Sequence, residues 1–196
     1  MKVLLAICGK SASGKDTLAR ELASAFPSAH LIVRDTTRPM RKNESQNIDY
    51  HFISLEEFNN IDYITMNVYR GWFYGTRKSE LVDGLNIGVF SPNDLEQLKK
   101  LSSNDVQVVP IYLEVSSKVR YKRSKQRTGR VDFELLRRMY TDHKDFKDID
   151  QLIRSFPVFV KSYENGCVCV RDRELRKTEY NLNASISQIL EKSGII

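Results

Sequence analysis

Six consecutive apolar residues, Val3-Leu4-Leu5-Ala6-Ile7-Cys8, run directly into Gly9-Lys10-Ser11-Ala12-Ser13-Gly14-Lys15, after which Leu18, Ala19, Leu22, Ala23 and Phe26 recur at three- and four-residue spacing up to Pro27. The apolar run reads as a strand buried on both faces, and the recurrence reads as a helix that proline stops. Between them, two glycines let successive backbone N–H groups turn inward around an anion at the positive end of the helix, and Lys15 adds a full charge. This is the spacing of a Walker A loop, whose lysine reaches the β/γ bridge of a nucleoside triphosphate. A strand buried on both faces and followed directly by a helix suits a parallel sheet covered by helices on both faces.

The rest of the chain keeps that alternation, so the expected fold class is α/β. Ser54 with Glu57 forms a capping box for a short helix, and Ser91-Pro92 with Asp94 supplies an N-cap, an N1 proline and an acid matched to the helix dipole. Val106 to Val115 suits a central strand; helices are expected over Ser117–Gln126, from Asp132 to about Asp148, and from Asn183 to Gly194. The region from about Asp35 to Thr76 breaks the alternation with a charged loop and aromatic runs, which predicts an inserted lobe of short antiparallel strands. The domain expectation is therefore a core of residues 1–34 and 77–196, and a lobe of residues 35–76 in the same compact unit.

With 196 residues the chain suits one core with appendages, and it has no apolar run long enough to span a membrane. Its three cysteines suggest neither a disulfide framework nor a zinc site, so a reducing cytoplasm is expected. A net charge of +6 favours anionic ligands. Arginines gathered around phosphates account for the excess, and no nucleic-acid partner is expected.

Residues 9 to 17 are the candidate ATP site: Gly9, Lys10, Ser11, Ala12, Ser13, Gly14, Lys15, Asp16 and Thr17. Asp16 stands where most such loops place a hydroxyl on Mg²⁺. A carboxylate there either holds the ion, directly or through water, or only complements the helix dipole. A negative charge so close to a triphosphate favours a cation between them.

Thr36-Thr37-Arg38-Pro39-Met40-Arg41-Lys42-Asn43-Glu44, followed by Asp49-Tyr50-His51-Phe52, resembles the guanylate kinase family, and the resemblance runs from the phosphate loop to about Met139. It implies a P-loop kinase with a parallel core, a small inserted lobe that binds a nucleoside monophosphate, and a helical lid around residues 118–138. ATP-Mg²⁺ and a nucleoside monophosphate are then the expected substrates; oligomeric state is left open. The matching residues imply that Arg38, Arg41 and Tyr50 grip the acceptor phosphate, and Tyr74-Gly75-Thr76 implies a further phosphate contact from Tyr74 and a base contact from Thr76. Two guanidinium forks and a phenol are also reasonable partners for a dianion by their own chemistry. Asn43 replaces a family glycine and is expected to take a left-handed backbone. Arg123 and Arg127 resemble the lid arginines and Arg138 the arginine of the next helix; with Lys15 and Arg38 they form the expected catalytic set, stabilising charge on the transferring group. Arg120, Lys122 and Lys125 read instead as a solvated basic face.

The pattern departs at the base. Where the family reads guanine with carboxylates, this chain has Thr65 and Phe90-Ser91-Pro92, and Arg34 with Asp35 stand where small hydroxyl residues are usual. Arg34 is thus a candidate acceptor-site residue, and a deoxynucleotide or modified nucleotide remains open beside GMP. Asp16 also occurs in a related branch that phosphorylates ribose 1,5-bisphosphate, although the Thr36-Thr37-Arg38 motif favours nucleotide kinases. A third reading is an inactive binding module, against which the full phosphate loop counts.

Overall fold

The computed structural model describes residues 1–101, 105–128, 133–163, 167–171 and 178–181. Strand β1 (Lys2–Gly9) leads through the phosphate loop into α1 (Lys15–Ala25), and the chain returns in the short β2 (His30–Leu31). It then builds β3 (Asp35–Thr36), β4 (His51–Phe52), α2 (Leu55–Asn59), β5 (Tyr63–Tyr69) and β6 (Trp72–Arg77). A 3₁₀ turn precedes β7 (Gly84–Phe90), α3 (Pro92–Leu101), β8 (Val106–Glu114), α4 (Ser117–Thr128), α5 (Phe133–Asp145) and α6 (Ile149–Arg154). Three strands close the described part: β9 (Phe159–Tyr163), β10 (Cys167–Arg171) and β11 (Thr178–Asn181).

The main sheet runs β11-β10-β9-β8-β1-β7-β2, with β2, β7, β1, β8 and β9 parallel and the last hairpin antiparallel. The alternation along β1 decides where the core lies. Val3, Leu5 and Ile7 face one cluster with Leu18 and Leu22 of α1, whereas Leu4, Ala6 and Cys8 face another with Leu95 and Leu98 of α3 and Ile153 of α6. Each such Leu, Ile or Val contributes about 1.5–3 kcal/mol by leaving water, so both faces hold the strand. As expected for parallel strands, the carboxyl ends of β1, β7 and β8 emerge on one edge, and the phosphate loop starts there.

The second sheet runs β4-β3-β6-β5. It is antiparallel at β3/β6 and β5/β6, but β3 and β4 pair in parallel because a long loop, not a hairpin, joins them. Its back face is organised by Asp35, which is fully buried and accepts from Arg77 Nε at 2.8 Å and from the Tyr63 hydroxyl at 2.7 Å. Tyr63 stacks on Phe58 with ring centres 4.4 Å apart.

One helix expectation and one backbone expectation change. The Asp132–Asp148 segment is α5, a turn at 146–148 and then α6. The Asn183–Gly194 helix lies outside the described residues. Asn43 is not left-handed; among non-glycine residues Ala12, Asn47 and Arg70 are, with φ of 62°, 63° and 56°. The capping box of α2 forms as read, with Ser54 Oγ accepting from Glu57 N at 3.1 Å and Glu57 accepting from Ser54 N at 2.9 Å. Among the described residues no helix is long and apolar enough to cross a membrane.

Gly75 sits inside β6, where an added Cβ would lie 2.5 Å from the Tyr63 ring. Gly75→Ala should therefore cost about 1–3 kcal/mol through overpacking, read as a lower midpoint in urea denaturation.

Candidate active site

The phosphate loop is shaped as its glycines require. Gly14 caps α1 at φ 99°, and a Cβ on Gly9 would meet Ser13 Oγ at 2.5 Å, so both positions exclude side chains. Ser13 Oγ is buried and has no hydrogen-bond partner among the described residues. Lys15 opens α1 half-buried, while Asp16 and Thr17 are exposed. Cys8, just before the loop, is pushed up to about 12 by burial and stays a neutral thiol.

The loop is held from behind by Asp142 of α5. Its carboxylate accepts from Ser11 N at 2.9 Å, from Ser11 Oγ at 3.1 Å and from Arg120 Nη1 at 3.0 Å. Arg120 also donates to the Ser11 carbonyl at 3.2 Å. Arg120 is thus buried, 3% exposed, and not part of a solvated face; Lys122 and Lys125 are exposed as expected. One turn further along α4, Arg123 Nη1 donates to the Ser13 carbonyl at 2.7 Å, which puts this guanidinium on the loop itself. The side chain of Arg127 lies outside those described.

A cavity of about 210 Å³ is lined by Arg38, Pro39, Arg41, Tyr69, Arg70, Trp72, Tyr74 and Arg138. Arg38, Arg41 and Tyr74 of the second sheet thus meet Arg138 of α5 around one space. Tyr50 supports the wall: its ring packs edge-on to Tyr74 at 6.0 Å, and Arg38 Cζ lies 5.0 Å above it. Burial raises the Tyr50 phenol, so it stays protonated and can donate. Arg38 is fixed by Glu44, whose two oxygens accept from it at 2.7 and 2.6 Å and whose Oε2 also accepts from Arg41 N at 2.9 Å. Those hydrogen bonds from Arg38 hold the Glu44 carboxyl below its usual range.

Arg34 and Thr76 take other places. Thr76 is fully buried and its hydroxyl accepts from Thr65 at 3.0 Å. Arg34 forms a fork onto Asp94 at 3.0 and 2.9 Å. Asp35, its neighbour, is on the back of the sheet with Arg77. Sequence reasoning took Asp94 only as a helix-dipole partner and gave no site role to Asp142 or Trp72. The spacing of Ser91 and Asp94 carried a signal, since a capping pair at the end of a buried strand points its acid inward; nothing local marks Asp142, which reaches the loop across 131 positions.

A phosphate loop leaving the first strand of a doubly wound sheet, with a small sheet and a basic helix pair facing it, defines a P-loop fold. A family model described as guanylate kinase matches residues 1–160. The guanylate kinase of Lawsonia intracellularis is 43% identical over 88 residues, covering 43% of this chain and 42% of that protein. That of Chlorobium luteolum is 35% identical over 107 residues, covering 50% and 54%. The chain therefore spans about half, or less, of the length of these curated relatives. The crystal structure of guanylate kinase from Anaplasma phagocytophilum superposes with a TM-score of 0.57 at 19% identity, over 98% of this chain and 87% of that one, a likeness of fold. The chain belongs to the guanylate kinase family.

Two variants test the supports of the site. Asp142→Ala leaves the buried Arg120 unpaired and should cost about 3–5 kcal/mol, whereas Arg120→Met with Asp142→Leu should cost less than Asp142→Ala alone, both read by urea denaturation. Glu44, with its folded pKa depressed, adds stability above its unfolded pKa of about 4.3 that is lost as pH falls through the folded value. The stability gap between the unaltered protein and Glu44→Gln should be full at pH 6 and vanish in strong acid.

Proposed function

We propose that this chain transfers the γ-phosphoryl group of ATP to a nucleoside monophosphate, giving ADP and the nucleoside diphosphate. The observation that carries this reading is the cavity where Arg38, Arg41 and Tyr74 converge with Arg138, in a chain whose phosphate loop is complete. Family membership supports it, and relatives named guanylate kinase make GMP the reference acceptor. Residues 35–76 act as the acceptor lobe, residues 1–34 and 77–196 as the core, and the stretch around residues 118–138 as the lid.

Loop N–H groups other than those of Ser11, held by Asp142, and Ser13, which donates to the Lys10 carbonyl, would hold the donor phosphates with the Lys15 ammonium, and the unpartnered Ser13 hydroxyl suits the same role. An exposed carboxylate at the first turn of α1 fits Mg²⁺, which takes few protein ligands beside phosphates and waters; Asp16 would hold it, and it would neutralise charge on the transferring group. Arg41, Tyr74 and the Tyr50 hydroxyl orient the acceptor phosphate in line, while Arg38 supplies fixed charge behind it. Arg123, Arg127 and Arg138 stabilise the charge that develops in the transition state. No covalent intermediate on the protein is needed.

Lys15→Ala should lower kcat about 100-fold or more in a coupled ADP-release assay while the circular dichroism spectrum stays unchanged. Arg41→Ala should raise the KM of the acceptor and leave that of ATP nearly constant. Turnover by Lys15→Ala close to the unaltered rate would overturn the phosphate-loop role.

A further inference from the structure

The corner beside the acceptor cavity has an unusual hydrogen-bond inventory. In the β5/β6 register Asn67 stands directly opposite Tyr74, and Tyr69 opposite Trp72. Directly opposed residues share a face, with Cβ atoms about 5 Å apart. Asn67 therefore lies on the face whose Tyr69, Trp72 and Tyr74 line the cavity.

Asp94 is the acid at this corner, and it is saturated. Its Oδ1 accepts from Arg34 Nη2 at 2.9 Å and Asn67 Nδ2 at 2.8 Å; its Oδ2 accepts from Arg34 Nη1 at 3.0 Å and from Ser91 N and Oγ, each at 2.8 Å. Five donors fill the roughly four lone-pair sites of a carboxylate. Thr65 and Thr76 are buried on each other, and Ser91 Oγ is already shared with Asp94 and Asn67. What remains among these residues is the second hydrogen of Arg34 Nη2, the enclosed and unpartnered Arg34 Nε, and one acceptor. The second hydrogen of Arg34 Nη2 has no partner among these contacts, and Asn67 must turn its amide nitrogen to the carboxylate, which leaves Oδ1 able to accept. Both groups flank the same oxygen of Asp94, so they are neighbours.

A donor beside an acceptor complements a carbonyl beside a ring N–H. That edge belongs to 6-oxopurines and 4-oxopyrimidines alike. Guanine carries it too, but its 2-amino group adds two further donors, and the corner has no free acceptor for them.

We propose that Arg34 and Asn67, held by Asp94, read the oxo/N–H edge of the acceptor base, and that the 2-amino group of guanine is not read. The proposal rests on the acceptor-site reading above and refines the substrate class to nucleoside monophosphates bearing this edge, with hypoxanthine, uracil and thymine served as well as guanine.

The discriminating pair is GMP and IMP, which differ only in the 2-amino group, with AMP as the base lacking the edge. Two measurements are made on the unaltered protein: kcat/KM by ADP release, and binding by the fluorescence of Trp72, the sole tryptophan, which lines the cavity. GMP should be preferred over IMP by less than about tenfold, the worth of one hydrogen bond, and AMP should fall at least about tenfold below IMP. A GMP preference of tenfold or more, or AMP equal to IMP, overturns the proposal. Arg34→Ser, which frees Asp94 to accept, should move the ratio toward GMP by about tenfold or more; an unmoved ratio in the folded variant counts against it. If no monophosphate is turned over but GMP and IMP bind alike and AMP weakly, phosphoryl transfer fails and the base reading stands; if none binds, both fail.

Discussion

The pairing of β1 on both edges and both faces is the constraint from which the rest follows. Its backbone is hydrogen-bonded to β7 and β8 along its whole length, and its side chains fill two cores at once. Nothing in that strand is free to serve a ligand until Gly9, where side chains are excluded and the backbone turns. The chemistry is thereby displaced to the strand ends, and helices α1 and α3, which begin there, bring their N-termini with them. The phosphate loop is the outcome of a strand so fully committed that only its exit can bind anything.

Charge in this molecule is spent in two ways. Arg120, Arg77, Arg34 and Arg38 are each matched to a carboxylate with little exposure, and they hold backbone or side chains in place. Such pairs contribute geometry more than stability, since desolvation offsets much of their attraction. Arg41 and Arg123 are set differently: the first is largely exposed on the cavity wall with Glu44 only at 3.8 Å, the second touches only a loop carbonyl among the contacts described. The net charge of +6 is thus partly scaffolding and partly bait for phosphate.

The elements built from local pattern were legible in the sequence: the buried first strand, the glycine loop, α1 before Pro27 and the boxed start of α2. These depend on residues within one turn of each other. What was not legible depends on long-range partners. Arg120 looked solvated because its helix is dominated by basic residues, and only the return of α5 brings Asp142 against it. Arg34 was marked as an acceptor-site candidate by its position in the motif, but the acid that braces its fork lies 60 positions away and left no local sign. The parallel pairing of β3 with β4 escaped notice for the same reason, because short strands carry no record of direction.

The second sheet is latched to the core as well as joined to it. Besides Asn67 on Asp94, Gln97 of α3 clasps β5 through both ends of its amide, accepting from Met66 N at 3.0 Å and donating to Met66 O at 2.9 Å. The Asp35–Arg77–Tyr63 knot meanwhile makes the sheet itself stiff. The opposite margin is fastened too: Arg20 of α1 donates to Asp49, just ahead of β4, at 3.1 Å, and the His51 N–H donates to the Arg34 carbonyl at 2.9 Å. A plate held at both margins registers a shift of either helix, so the two faces of the core report to one lobe.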